Sequence, residues 1–412
     1  MTTAEGKIAE RLMERLDALA AHSDEPGLLS RPFLSSAHAT AAGVLREWMA
    51  GAGLIVRLDA AGTLQGWLAG ADPDAPALLL GSHVDTVRDA GRYDGTLGVL
   101  AALAAIELLR AEEWSPRAPV ALLAFGDEEG VRWPVTLTGS RALAGILDIP
   151  TQLSARDADG IALGDALDAF GGDAAGLAAV ALDRSRVRGF LEVHIEQGPV
   201  LEREALPLGI VTAINGASRF RLEVMGRAGH AGTVPMAGRS DALAAAAEMI
   251  VAIRREGLAR PGITATVGRM EIHPGAVNVI PGRAAFTLDL RAPEDAARAD
   301  ALSAIEEALS SIADEHGVSL EIVRTHDSPA APCDPVLQDV LAEAVEAFGV
   351  RPRRLPSGAG HDAMAMAALC PMAMLFVRCR GGISHNPAES IEAEDAWLAV
   401  RVLAEAIRRL AG

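Results

Sequence analysis

The stretch Ala77-Leu78-Leu79-Leu80-Gly81-Ser82-His83-Val84-Asp85 starts as an unbroken apolar run and turns, at a glycine, into a histidine and a carboxylate. A short apolar run closed by glycine and polar residues has the pattern of a strand buried on both faces. Three more segments repeat the form. Val120 to Phe125 precedes Gly126-Asp127-Glu128-Glu129-Gly130, and Phe190 to Ile195 carries His194 and leads into Glu196-Gln197-Gly198. Ala373 to Val377 precedes Gly382-Ile383-Ser384-His385-Asn386. Helical spacing of apolar residues marks Thr96 to Leu109 and Pro335 to Phe348 between these runs, and Ala4 to Leu19 and Ala39 to Ala52 ahead of them. Strands alternating with helices predict a layered α/β domain with a mostly parallel sheet.

The middle of the chain has another rhythm. Phe220 to Met225, Thr264 to Ile272, Ala284 to Leu290 and Ser319 to Thr325 read as strands, with Asp241 to Arg255 and Glu294 to Glu315 as helices. The order β-α-β-β-α-β predicts a ferredoxin-like sheet covered on one face by two helices. The chain is therefore expected to form a larger domain, residues 1–213 with 329–412, and an inserted smaller one, residues 214–328. Length agrees, because 412 residues at about 150 per domain suggest two or three domains. The Ala/Asp/Gly-rich stretch from Arg156 to Ala181 reads as a surface excursion.

Composition narrows the function. Half the residues are hydrophobic and 22% are charged, ample for a buried core. Lys+Arg 37 against Asp+Glu 55 leaves a formal charge of −18. Such a surface repels nucleic-acid phosphates and anionic membranes. Lys7 is the only lysine, so the chain has no Gly-Lys-Ser/Thr phosphate loop and no interior lysine for a pyridoxal Schiff base. Cys333, Cys370 and Cys379 form no Cys-x-x-Cys pair, which fits a reducing compartment. The N-terminus lacks a signal-peptide core, and the longest apolar run, Val99 to Leu109, contains Glu107 and is too short to span a bilayer. The expectation is a cytoplasmic protein with no nucleic-acid or membrane partner.

In open α/β sheets, ligands bind beyond the carboxyl ends of the strands. Here those ends carry His83, His194 and His385 together with Asp85, Glu128 and Glu129, and Tyr93-Asp94-Gly95 adds a carboxylate ahead of the Thr96 helix. Singly these are weak signals, Asp94-Gly95 being an ordinary turn pair and Glu128-Glu129 an ordinary solvated loop. Jointly, one histidine, one aspartate, one glutamate and two further histidines suit two adjacent divalent ions. A carboxylate can give one oxygen to each ion, and a neighbouring glutamate left free can act as a base on water.

The strings Gly81-Ser82-His83-Val84-Asp85-Thr86, Asp94-Gly95, Glu128-Glu129-Gly130 and His194-Ile195-Glu196-Gln197-Gly198-Pro199 resemble the M20-type metallopeptidase superfamily. So do Gly229-His230-Ala231-Gly232, Asn278-Val279-Ile280-Pro281-Gly282, Gly358-Ala359-Gly360-His361-Asp362 and Ser384-His385-Asn386-Pro387. Within it, the His-Ile-Glu-Gln-Gly-Pro string resembles the hydantoinase/carbamoylase branch of N-carbamoyl-L-amino-acid hydrolases, β-ureidopropionases and allantoate amidohydrolases. The likeness covers nearly the whole chain. It implies that Asp94 bridges two ions, with His83 and His194 completing one and Glu129 and His385 the other, as zinc, manganese, cobalt or nickel. Glu128 would be the general base, and Asp85 would hold the other ring nitrogen of His83. From the smaller domain, Arg291 would grip a substrate carboxylate, Asn278 would add hydrogen bonds and His230 would stabilise the oxyanion. Gln197, Gly360 and His361 would line the pocket, and the smaller domain would serve as lid and homodimer contact.

The activity implied is hydrolysis of a ureido C–N bond beside a carboxylate, releasing ammonia and carbon dioxide. The surroundings of Asp94 and the stretch Ala213 to Arg219 lean toward allantoate as substrate, with an N-carbamoyl-L-amino acid or N-carbamoyl-β-alanine next. A dipeptidase or aminoacylase, and a non-catalytic binding protein on the same fold, are more remote readings. Gly358-Ala359-Gly360-His361-Asp362-Ala363 matches a dinucleotide fingerprint only formally, since no clear strand precedes it. No Gly-x-Ser-x-Gly elbow occurs, and Cys379 with His385 offers a weaker nucleophile pair.

Overall fold

The computed structural model describes residues 3–412. The chain falls into two compact units, Met1–Thr212 with Cys333–Leu355 and Gly360–Gly412, and Ala213–Pro332 with Pro356–Ala359.

The first unit is built on a mixed sheet whose centre is parallel. Val120–Phe125, Ala77–His83, Val187–Ile195 and Met372–Val377 stand side by side in that order, each parallel to its neighbour. Antiparallel strands flank them: Leu64–Leu68 and Ile55–Leu58 on one side, Leu208–Ile214 on the other. These flanking strands were not among the sequence expectations. Ile55–Leu58 is short and alternately exposed, so it lacks the dense apolar signature of the central four.

Side-chain alternation divides the sheet's residues between two faces. Leu78 and Leu80, Leu122 and Ala124, Leu191 and Val193, and Ala373 and Leu375 all join one core, into which the helices Thr3–Ala20, Ser36–Gly51, Thr96–Ala111, Pro335–Ala347 and Ala393–Ala411 pack. Thr96–Ala111 is apolar around almost its whole circumference because it lies between the sheet and the helices Thr3–Ala20 and Ala393–Ala411. Each fully buried leucine there stabilises the fold by roughly 1.5–3 kcal/mol. The residues of opposite parity, among them His83, Glu192 and His194, face the other way. The stretch from Arg156 to Ala181 is more ordered than a surface excursion. It contributes Leu163–Phe170 and a 3-10 turn at Ala174–Ala179, and Leu163, Leu167 and Leu177 pack on Phe33 and Trp133.

The second unit has an antiparallel sheet in the order Met270–His273, Arg283–Ala292, Gly216–Met225, Ser319–Ser328, with Thr264–Thr266 also on Arg283–Ala292. The expected single strand Thr264 to Ile272 is two, broken around Gly268. The helices Ala242–Ala259 and Asp295–His316 bury Ala245, Met249, Ile253, Ala301, Ile305 and Leu309 against Phe220, Leu222, Phe286 and Leu288. Among the described residues no helix is long and apolar enough to cross a membrane.

Candidate metal centre

His194 lies within its strand, as the sequence indicated, and His83 lies within its own rather than beyond it. Ala77–His83 runs two residues past the glycine that the sequence suggested would end it. The pairing Leu80 with Leu191, carried three residues further, sets His83 level with His194 on one face, and their ring centroids are 5.8 Å apart. Each ring is oriented from behind. His83 Nδ1 lies 2.9 Å from the Asp85 carbonyl oxygen, and His194 Nδ1 lies 3.0 Å from the Ile195 carbonyl oxygen. With Nδ1–H donating to a carbonyl, Nε2 is the nitrogen left to bind a cation.

Both Nε2 atoms face the same carboxylate oxygen. Asp94 Oδ1 is 3.5 Å from His83 Nε2 and 3.1 Å from His194 Nε2, while its Oδ2 is 3.5 Å from His385 Nε2. Glu129 Oε2 is 3.4 Å from that same His385 nitrogen. The donors form four overlapping groups: His83–Asp94–His194 and Asp94–Glu129–His385, which share Asp94, and His83–Glu128–Glu129 and Glu192–His194–His361. Glycine lets the loop approach this closely. A Cβ on Gly95, at φ +62°, would fall 2.4 Å from the His83 ring.

Non-glycine residues at positive φ recur in the loops around this cluster: Asp127 at 72°, Gln197 at 56° and His385 at 54°. Such backbone is costly and persists where the surrounding structure imposes it, commonly at functional sites. The Asp127 carboxylate is itself buried and accepts from Thr138, shaping the turn that presents Glu128 and Glu129.

The carboxylates set the electrostatics. Burial raises the pKa of Glu128 well above the usual carboxylate range, with Glu129, Asp362 and Asp85 adding to the effect against His83. Burial, then Asp94 and Asp85, push Glu129 up to about 8. Asp94 goes the other way: burial alone would raise it, but the His194 and His83 imidazoles outweigh that and hold it well below. Burial likewise opposes charge on His83, yet Asp94, Glu128 and Asp85 raise its pKa. The pocket gathers more carboxylate than its histidines neutralise, a donor set that fits divalent cations.

Asp85 departs from its expected role, and Gln197 and His361 each meet a residue of the cluster. Asp85 meets His83 Nδ1 through its main-chain oxygen, its carboxylate standing 3.7 Å away. That carboxylate instead accepts the main-chain N–H groups of Glu128 and Glu129, each at 3.3 Å. Gln197 Nε2 donates to Asp94 Oδ2 at 2.8 Å, so the amide orients the shared carboxylate, while its Oε1 is buried with no hydrogen-bond partner among the described residues. His361 is buried edge-on against His194, with centroids 4.5 Å apart. Gly360 lies beside Glu128, where a Cβ would come within 3.7 Å of its Oε1.

Within the second unit, His230 and Asn278 come together across a two-residue ribbon, where His230 pairs with Val279 and the Asn278 carbonyl accepts from Ala231 N–H at 2.9 Å. Both side chains are exposed. Arg291 is not an open fork. Its Nε and Nη2 bind the two oxygens of Asp289, at 2.7 and 3.1 Å, and its Nη1 donates to the Gly358 carbonyl at 2.7 Å. Asp289 was missed because alternation marks it only as one more outward residue of a strand.

Other contributors also escaped the sequence reading. Buried Arg31 donates to Val84 O at 2.7 Å, Leu19 O at 2.6 Å and Thr96 Oγ1 at 3.1 Å, tying the end of Ala77–His83 to the start of the Thr96 helix. Glu192 accepts from Ser82 Oγ at 2.7 Å and Ala363 N–H at 3.0 Å beneath His194. Glu389 accepts from the main chain at Tyr93 and Asp94. The weaker nucleophile reading fails on burial, which pushes the Cys379 thiol up to about 11 and keeps it protonated.

Residues 79–409 match the Peptidase family M20/M25/M40. The chain belongs to this family. The crystal structure of an amidase of the hydantoinase/carbamoylase family from Burkholderia multivorans matches with a TM-score of 0.92 and 33% identity, over 98% of both chains. This places the M20 chain in that branch. Allantoate deiminase from Arabidopsis thaliana is 40% identical over 95% of this chain and 80% of its own length. N-carbamoyl-L-amino acid amidohydrolase from Geobacillus stearothermophilus is 39% identical over 98% of each.

Proposed function

We propose that this M20 family member is a dinuclear metal amidohydrolase that cleaves the ureido C–N bond of a small carboxylate, with allantoate as substrate and release of ammonia and carbon dioxide. The observation that carries the reading is Asp94, whose Oδ1 faces His83 and His194 while its Oδ2 faces His385. His83, Asp94 and His194 would hold one divalent ion, and Asp94, Glu129 and His385 the other, as zinc, manganese, cobalt or nickel. Such ions, when bound, polarise a carbonyl and acidify water.

The protein groups do the rest. Glu128 takes the proton of the attacking water at its carboxylate and returns it to the leaving nitrogen, so that the ureido carbon gains an oxygen and loses ammonia. Asp85 holds the Glu128 and Glu129 main chain in place, and Gln197 and Ser384 orient Asp94. Arg291, held in orientation by Asp289, with Asn278 and His230, supplies the groups for substrate carboxylate and oxyanion from the inserted ferredoxin-like unit, read as lid and homodimer contact in a cytoplasmic enzyme.

A second substrate reading has its own support. The Geobacillus stearothermophilus N-carbamoyl-L-amino acid amidohydrolase matches over 98% of its length, against 80% for the Arabidopsis thaliana allantoate deiminase. Both substrates offer a ureido group beside a carboxylate. Ammonia release by metal-loaded protein should therefore be measured on allantoate, several N-carbamoyl-L-amino acids, N-carbamoyl-β-alanine and dipeptides. Turnover of allantoate, lost on chelation and in Glu128→Gln, supports the proposal. Preference for an N-carbamoyl-L-amino acid would move the substrate, and cleavage of dipeptides alone would sink the ureido reading.

A further inference from the structure

Glu389 is a buried carboxylate, 4% exposed, that takes no part in the chemistry proposed above. Among the described residues, no basic side chain hydrogen-bonds to it. Its Oε1 accepts two successive main-chain N–H groups, Tyr93 at 2.7 Å and Asp94 at 3.1 Å. Its Oε2 is 3.3 Å from the Ser384 hydroxyl, which also donates to Asp94 Oδ2. The chain is shaped to admit it. A Cβ on Gly91 would stand 2.2 Å from the Glu389 carboxyl carbon, so only glycine there allows the close approach.

These contacts join two loops. One carries Asp94; the other carries Ser384 and His385 and returns four residues later to Glu389 itself. Asp94 and His385 belong to the same candidate ligand group. The group is also the more exposed of the two, since the His385 side chain is 51% accessible while His194 is fully buried. Packing therefore fixes the His83–His194 side, whereas the Glu129–His385 side depends on what restrains its loop.

We infer that Glu389 is a positioning residue for the metal centre, holding the Tyr93–Asp94 main chain and, through Ser384, the His385 loop, so that Asp94 and His385 present their donors to one ion. This rests on the two-ion reading above. The role is geometric. A glutamine at this position still offers one oxygen to both N–H groups and can donate to Ser384, whereas an alanine leaves both N–H groups buried and unpaired.

The test is a titration of metal-free protein with Mn2+, followed by calorimetry, with thermal unfolding of each metal-free variant alongside. Wild type should take up two ions per chain. Glu389→Ala should weaken one of them by ~10–100-fold and leave the other unchanged, the range typical of lost outer-shell support. Glu389→Gln should stay within about threefold of wild type, because its hydrogen bonds survive. Ser384→Ala and Gly91→Ala, which cut or crowd the same link from other sides, should weaken the same ion and remain informative if Glu389→Ala does not fold. Isotherms of Glu389→Ala and Ser384→Ala equal to wild type would overturn the inference. So would equal weakening of both ions together with a lowered unfolding temperature, which assigns Glu389 to general loop stability. Wild type binding fewer than two ions would instead overturn the two-ion reading itself.

Discussion

The carboxylate of Asp85 accepts the main-chain N–H of Glu128, Oδ1 to N at 3.3 Å, and its second oxygen does the same for Glu129. One buried side chain thus fixes both the proposed base and a proposed ligand. Asn at position 85 has only one acceptor oxygen, so one N–H would lose its partner at ~1–3 kcal/mol. Asp85→Asn should lower the unfolding temperature and reduce kcat about 10–100-fold. A variant that loses stability with kcat intact would show that the Glu128–Glu129 turn holds itself.

Glu128 is grouped with His83 and Glu129 but belongs to neither of the two groups that share Asp94. Glu128→Gln removes the proton acceptor but keeps shape. Ammonia release should fall by ~10²–10⁴-fold while two ions remain bound, by elemental analysis of the dialysed protein. Loss of an ion in this variant would reassign Glu128 as a ligand.

Chelation should abolish turnover, and added Mn2+ or Zn2+ should restore it. Stability should follow. An ion present at about 100 times its Kd adds ~2.7 kcal/mol to the native state, so the unfolding midpoint should rise with metal concentration. A midpoint indifferent to metal would contradict a site formed only in the folded chain.

His38 is buried, and its Nδ1 accepts from the Leu34 N–H at 3.0 Å. Burial, aided by Arg31, pushes its pKa down to about 3 from 6.5. Between those values the unfolded chain holds a proton that the native ring refuses. Stability from this site is therefore complete above the unfolded value and is lost as pH falls below it, at ~1.4 kcal/mol per pH unit. His38→Asn keeps an acceptor and removes the titration. Urea unfolding from pH 4.5 to 6.5 should give wild type the steeper slope by about that amount. Parallel slopes would refute the assignment.

Arg291 carries its charge beside Asp289, so its remaining N–H groups must do any further binding. Lysine at this position cannot keep the paired geometry. Arg291→Lys should raise KM for a ureido carboxylate about tenfold with a smaller change in kcat. The comparison substrate is the corresponding amide lacking the carboxylate, for which KM should not move.

Much of this was readable in one dimension because it depends on local pattern. Four short, mostly apolar runs mark the parallel strands, since a strand covered on both faces is largely apolar. The histidines and carboxylates at their ends were readable for the same reason: chemistry in such sheets gathers where the strands stop. Ile55–Leu58, exposed at every other residue, had no such density and was missed.

The sequence by itself determined the rhythm of the central parallel strands and their helices, and the residue types available for a metal centre. Only the tertiary structure decided which atoms face each other. Register puts His83 level with His194, and main-chain carbonyls choose their tautomers. Asp85 serves the Glu128–Glu129 turn, Asp289 closes on Arg291, and Glu389, 295 positions from Asp94, braces its backbone. These are pairings between segments distant in the chain. A hydrogen bond depends on direction and fractions of an ångström, which residue identity and spacing do not encode.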